Sequence, residues 1–332
     1  MKLAVVKGDG IGREVITEAI KVLDAFNLDI EKIPLEIGYS KWEKTGFGIT
    51  EEDIDILKTS DYILFGAITT PKNKNYKSVL LTIRKELDLY ANVRPIKPIE
   101  GIKGIGKDNF DFVIVRENTE GMYSGIEESD EFGAYTKRVV TYECSKRIAE
   151  YACELAKKRN DKVTIVHKSN ILKSDKLFLK VSSDIAKLNG VEYDDALVDS
   201  FAYHMIAFPE KQGVAVTTNL FGDILSDSAA ALVGGLGIVP SANIGKKYAF
   251  FEPIHGSAPD IAGKNIANPI AAILSVKMLL EHIGLIEEAN IVYEGVCHAI
   301  EKKIITTDLQ GSATTSAVGD AVANYCRASL KC

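Results

Sequence analysis

Two aspartates four residues apart, Asp223 and Asp227, follow Asn219-Leu220-Phe221-Gly222 and precede an apolar run at 229–233. On a helix that spacing stacks both carboxylates on one face, where like charges cost stability unless something compensates them. A hard divalent cation, Mg²⁺ or Mn²⁺, suits such a pair. The positive end of a helix also welcomes acid, which accounts for one aspartate better than for two. Asp199, after Ala196-Leu197-Val198, is a candidate third ligand, although a lone acid at a strand end is ordinary. Arg84 and Arg94 flank residues 87–93, and Arg116 follows an apolar stretch at 112–115. Arginine grips a carboxylate through two parallel hydrogen bonds, so three beside an acidic metal site suit a dicarboxylate. Surface solubility explains Lys85 or Lys97 better than Arg116. Lys168, after residues 163–166 and near Asn170, would have its pKa lowered beside a metal and arginines, as a proton shuttle needs. Tyr123, within 117–125, is a candidate donor of a proton to an enolate carbon. A lone Tyr or Lys is normally structural, and these two draw their weight from their neighbours.

Such groups need elements to hold them. Residues 3–6, 62–67, 112–115, 163–166 and 214–218 are apolar runs of strand length. Residues 14–26 carry helical spacing, a polar loop covers 69–75, and helices are expected at about 77–89 and from near Gly222. Strands apolar throughout, alternating with helices, imply a sheet covered on both faces. In such folds ligands gather at the carboxyl ends of strands, here Lys7-Gly8-Asp9, Arg116-Glu117-Asn118, His167-Lys168 and Asn219 to Asp223. The turn Gly8-Asp9-Gly10-Ile11-Gly12-Arg13 fails the GxGxxG dinucleotide fingerprint, since the third glycine is displaced. Alone it reads as a tight turn.

At 332 residues the chain has room for two domains or one large α/β unit, and its apolar content of 46% is ordinary for a globular protein. A net charge of −6 argues against a general nucleic-acid binder. No apolar run reaches the roughly 18 residues of a membrane span, and the first residues lack signal-peptide anatomy. Cys144, Cys153, Cys297, Cys326 and Cys332 are odd in number, scattered, and without CxxC spacing. They are expected to be free thiols of a cytoplasmic protein.

Together these segments resemble the β-decarboxylating hydroxyacid dehydrogenases, which act on isopropylmalate, isocitrate, homoisocitrate or tartrate. The likeness runs from Gly8-Asp9-Gly10-Ile11-Gly12 to Thr307-Asp308-Leu309 and is most specific over 219–237. It implies an isopropylmalate dehydrogenase-like α/β fold, not a Rossmann fold, with an active site in the cleft between two domains. Residues 1–99 plus 252–332 would form a cofactor-binding domain containing both termini. Residues 100–251 would be inserted, carrying metal ligands and the interface of a homodimer with shared active sites, or of a tetramer. Asp199, Asp223 and Asp227 match the family's metal ligands, with Asp199 reaching the partner subunit's site. Arg84, Arg94 and Arg116 match its carboxylate clamp. Lys168 matches the residue that helps deprotonate the substrate hydroxyl, and Tyr123 the acid that protonates the enol once CO₂ has left.

The resemblance also bears on cofactor and substrate. Residues 252–263, with Thr70, His255, Gly256, Ser257, Asp260 and Ile261, resemble the cofactor loops, and Asn268 the adenine contact. Asp260 would accept hydrogen bonds from ribose hydroxyls and repel a 2′-phosphate, so NAD is expected. Gln310-Gly311 departs from the usual Gly-Gly. Leu80 and Leu81 resemble the lining of an isopropyl pocket, so the expected reaction is oxidative decarboxylation of 3-isopropylmalate to 4-methyl-2-oxopentanoate, a step of leucine biosynthesis. A pocket of that kind loses only ~1–3 kcal/mol per missing methylene, so 3-methylmalate is expected to react too. Ser78, Lys77 and Ile68-Thr69-Thr70-Pro71 point instead toward homoisocitrate or isocitrate, the alternative. A Mg²⁺-dependent phosphoryl-transfer enzyme is a remote alternative, and it lacks the expected GxxxxGK[ST].

Overall fold

A computed structural model describes residues 1–71 and 76–330, so the expected loop at 69–75 is described only in part and Cys332 lies outside the described residues. The strands are β1 (Lys2–Gly8), β2 (Glu31–Leu35), β3 (Tyr62–Ala67), β4 (Ala91–Ile96), β5 (Phe112–Glu117) and β6 (Glu127–Ser129). They continue with β7 (Ala134–Thr136), β8 (Val163–His167), β9 (Tyr193–Leu197), β10 (Val214–Thr217), β11 (Pro240–Ile244) and β12 (Ala249–Pro253). Around them lie α1 (Gly12–Asp24), α2 (Tyr39–Thr45), α3 (Glu51–Thr59), α4 (Val79–Glu86), α5 (Tyr142–Arg159) and α6 (Lys173–Leu188). The remaining helices are α7 (Val198–Ala207), α8 (Asn219–Val233), α9 (Ile270–His282), α10 (Ile286–Glu301) and α11 (Thr315–Ser329).

Ten strands form one mixed sheet in the order β2-β1-β3-β12-β11-β4-β5-β10-β8-β9, while β6 and β7 pair as a separate hairpin. Both faces of the sheet are covered, as its continuous apolar strands require. Leu3 and Val5 of β1 enter one hydrophobic cluster, and Ala4 and Val6, pointing the other way, enter a second with Ile63, Phe65 and Phe250. Helix α9 is buried nearly all round, from Ile270 to Leu280, because it packs between the sheet and helices α1 and α10.

The strand directions change the expected placement of the site. β2, β1, β3 and β12 are parallel to one another, and β5, β10, β8 and β9 form a second parallel set. Between them β11 is antiparallel to both β12 and β4, and β4 is antiparallel to β5. The two sets therefore run in opposite directions, and their carboxyl ends lie at opposite ends of the sheet. No single carboxyl edge collects the chemistry. The helix expected at 77–89 is shorter, because Ser78 caps it with its hydroxyl and the chain leaves it at Leu87 before Asp88, whose φ is +45°.

Candidate active site at the reversal of the sheet

A cleft of about 460 Å³ opens where the strand direction changes. It is lined by Arg84 of α4, Arg94 of β4, Arg116 of β5, Tyr123, Asp223 of α8 and Glu252 of β12. Ser78, Leu80, Leu81, Thr70, His255 and Gly256 also line it. Register explains the grouping. Asn92 of β4 lies opposite Arg116 of β5, and Arg94 follows two residues later on the same face. Gly222 lets α8 press against Arg116, since a Cβ there would come within 2.6 Å of that side chain.

The charges are tightly interlocked. Arg116 donates through Nη1 to Asp223, and through Nε and Nη2 to Asn219 Oδ1 at 3.0 and 2.8 Å. Arg94 donates to Asp227 at 3.0 Å, to Ser226 Oγ at 2.6 Å and to Asn92 Oδ1 at 2.8 Å. Burial, with Arg84 and Arg94 near, pushes the Arg116 guanidinium down to about 9, still protonated at neutral pH. Burial would raise Asp223, but Arg116, Arg94 and the Tyr123 hydroxyl outweigh it and hold that carboxyl low. Burial prevails at Asp227, where Asp223 adds repulsion, and its carboxyl is raised despite Arg94. Tyr123 donates to Asp223 Oδ2 at 3.0 Å, and burial beside that carboxylate raises its phenol. It is therefore protonated at neutral pH, as a proton donor must be.

Asp223 and Asp227 offer hard oxygen donors on one helix face, with charge the protein compensates only in part at Asp227. That fits a divalent cation. Among the described residues, however, no three His, Cys, Asp or Glu side chains gather as a metal-binding group. Asp199 lies elsewhere, exposed on α7 and ion-paired with Lys168, and neither lines the cleft.

The candidate cofactor residues divide in the same way. The turn after β1 is tight because the loop after β12 crosses it: Ile11 N donates to Ser257 O at 2.9 Å, and a Cβ on Gly10 would meet that oxygen at 2.0 Å. Thr69 Oγ1 donates to Ser257 Oγ at 2.7 Å, joining the loop after β3 to the loop after β12. His255 Nε2 is buried with no hydrogen-bond partner among the described residues, so it can take one from a ligand. Asn268 is held by Asp308 through Nδ2 at 2.9 Å. Asp260 is exposed, and Asp260, Ile261 and Asn268 stand outside the cleft wall. Sequence reasoning missed Glu252 as the partner of Arg84, at 3.3 Å, and Asn92 as that of Arg94. Both are polar residues inside strands, where hydropathy gives no functional signal.

Comparison with known proteins places the chain in a family. The family model described as isocitrate/isopropylmalate dehydrogenase matches residues 2–322. A homoisocitrate dehydrogenase of Methanocaldococcus jannaschii is 50% identical, over 100% of this chain and 99% of its own. A 3-isopropylmalate dehydrogenase of Methanothermobacter thermautotrophicus is 42% identical, over 98% of each chain. The crystal structure of isocitrate dehydrogenase from Methylococcus capsulatus superposes with a TM-score of 0.94 at 42% identity, covering 98% of this chain and 99% of that one. The chain has the fold of these enzymes and belongs to the isocitrate/isopropylmalate dehydrogenase family of β-decarboxylating dehydrogenases.

Proposed function

We propose that the protein oxidises a 3-substituted malate with NAD and releases CO₂, with homoisocitrate preferred and isocitrate next. The observation that carries the reaction class is the convergence of three buried arginines, Tyr123 and Asp223 on one cleft. The 50% identity to a homoisocitrate dehydrogenase favours that substrate over the isopropylmalate expected from Leu80 and Leu81. Ser78, which lines the same cleft, agrees with a polar substituent. Isopropylmalate remains a second reading, supported by the two leucines in the wall and by the 42% identical relative.

In this reading Arg84, Arg94 and Arg116 hold the substrate's carboxylates, exchanging the aspartates that occupy Arg94 and Arg116 for substrate. Asp223 and Asp227, with Asp199 from a second subunit, would hold Mg²⁺ or Mn²⁺. His255, Gly256, Ser257 and Thr70 would hold the nicotinamide cofactor, and Asp260, Ile261 and Asn268 its adenosine. The bound cofactor would supply a hydride acceptor, and the bound cation a Lewis acid at the substrate oxygen. Lys168 of the second subunit takes the hydroxyl proton, and Tyr123 returns one to the carbon that has lost CO₂. Two observations support a shared site in a homodimer: Lys168 and Asp199 pair away from the cleft, and Tyr203, Ile206 and Ile224 are exposed on α7 and α8. The division at 99/100 and 251/252 is likewise proposed, the second boundary lying within β12. Four free cysteines among the described residues agree with a cytoplasmic location, and no helix among them is long and apolar enough to cross a membrane.

The test is reduction of NAD with Mg²⁺, measuring kcat/KM for homoisocitrate, isocitrate and 3-isopropylmalate. Preference for homoisocitrate supports the proposal. Preference for isopropylmalate overturns the substrate assignment and restores the leucine pocket.

A further inference from the structure

Beneath the cleft a chain of amides crosses the three central strands. Asn243 of β11 lies opposite Asn92 of β4 in the ladder, and Ser241 lies opposite Glu252 of β12. Strand periodicity places Ser241 and Asn243 on one face. Asn243 Nδ2 donates to Glu252 Oε1 at 2.8 Å, and that oxygen also accepts from Arg84 Nη2 at 3.3 Å. Asn243 Oδ1 accepts from Asn92 Nδ2 at 2.9 Å and from Asn118 Nδ2 at 2.8 Å. Asn92 Oδ1 in turn accepts from Arg94 Nε at 2.8 Å. Arg84 and Arg94 are thus joined through Glu252, Asn243 and Asn92. Asn92 and Asn243 are fully buried, and Asn118 and Glu252 nearly so.

We infer that Asn243 is a positioning residue that sets the separation of Arg84 and Arg94, and so the bite of the clamp on the malate carboxylates. This rests on the proposed role of those arginines. The chemistry requires an amide at 243. Only a group that donates on one side and accepts on the other satisfies a carboxylate and two amide donors together. The reversed orientation would set carbonyl against carboxylate and NH₂ against NH₂, so the neighbours fix the amide plane. An aspartate would place a second negative charge against Glu252, and an alkyl side chain would sever both links. Such a network, with most of its members satisfied on both sides, has one low-energy arrangement, as a rigid clamp needs.

Asn243→Leu tests this at similar volume. Each severed partner keeps another bond: Glu252 keeps Arg84, Asn92 keeps Ser241 at 2.8 Å, and Asn118 keeps the Leu89 carbonyl at 3.1 Å. Steady-state kinetics on homoisocitrate, isocitrate and 3-isopropylmalate should show KM raised roughly tenfold by one shared factor, because three hydrogen bonds are lost while each partner keeps another. The factor is shared because the clamp holds the malate part common to all three. The KM for NAD should stay within about twofold, since the bonds lost around Asn243 leave the cofactor loop's own contacts in place. In an Arg94→Ala background the further rise should vanish, because the residue acts through Arg94. If Arg84→Ala and Arg94→Ala raise KM and Asn243→Leu lowers only Tm, the clamp stands and the inference falls. If the arginine variants themselves leave KM unchanged, clamp and inference fall together. Should Asn243→Leu not fold, Asn92→Ser cuts the same chain and is judged by the same criteria.

Discussion

At the scale of single residues the site is a balance of charge that ligands must reset. Tyr123 is the most direct case, a phenol kept protonated by burial and by the carboxylate it donates to. Tyr123→Phe keeps the ring and removes the proton. Its kcat should fall about 10²–10⁴-fold with substrate KM little changed, as loss of a positioned acid does. For Asp223 the informative readout is binding. Asp223→Asn should weaken Mn²⁺ affinity, followed by calorimetry, by at least the roughly tenfold that loss of even an outer partner brings. His255 titrates in the opposite sense to a paired histidine. Burial holds its pKa below the ordinary value, so the fold prefers the neutral ring. Its contribution is whole above pH of about 6.5 and is lost as pH falls from there through the lowered value. His255→Gln should therefore flatten the decline of Tm between about pH 6.5 and 5, against wild type in the same buffers.

At the scale of elements the sheet and helix α8 act as one construction. Gly222→Ala would drive a methyl into Arg116, and should cost about 1–3 kcal/mol in denaturant unfolding while raising substrate KM. Gln310 follows a short helical turn in the left-handed region, at φ +64°, where glycine carries no Cβ penalty. Gln310→Gly should stabilise the fold by up to about 1 kcal/mol, less the entropy glycine brings to the unfolded chain. Apolar strands were legible in the sequence: β3, β5, β8 and β10 fall where their continuous hydrophobic runs predict. Strands β4 and β11 were not. Their Asn92, Ser241 and Asn243 are buried polar groups satisfied by one another across the ladder, Arg94 is held by Asn92 and by α8, and hydropathy reads such residues as loop. β2, with Glu31, Lys32 and Pro34 at the sheet edge, is obscured for the related reason that an edge strand tolerates charge and proline.

At the scale of the whole molecule the reversal of strand direction puts the site in the middle of the sheet. Apolar runs reveal strands but not their directions, so the periodicity reading expected a carboxyl edge. The three arginines, Tyr123 and Asp223 were legible individually by residue type, their grouping was expected only from the family resemblance, and the fold brings them to one cleft. Lys168 and Asp199 do not join them within one chain, and the proposed shared site of a dimer is testable by mixing. Lys168→Ala and Asp223→Asn chains, each inactive alone, should regain about a quarter of wild-type activity when unfolded and refolded together, because half the dimers are hybrids with one intact site. No recovery, with hybrids confirmed by mass, would place the whole site in one chain.

NADH formation and CO₂ release should be measured together, with Mg²⁺ present and then removed by chelation, on homoisocitrate, isocitrate and 3-isopropylmalate. Metal-dependent oxidative decarboxylation predicts one CO₂ per NADH, loss of both on chelation, and the highest kcat/KM on homoisocitrate. NADH without CO₂, or no reduction of NAD by any of the three, would contradict it.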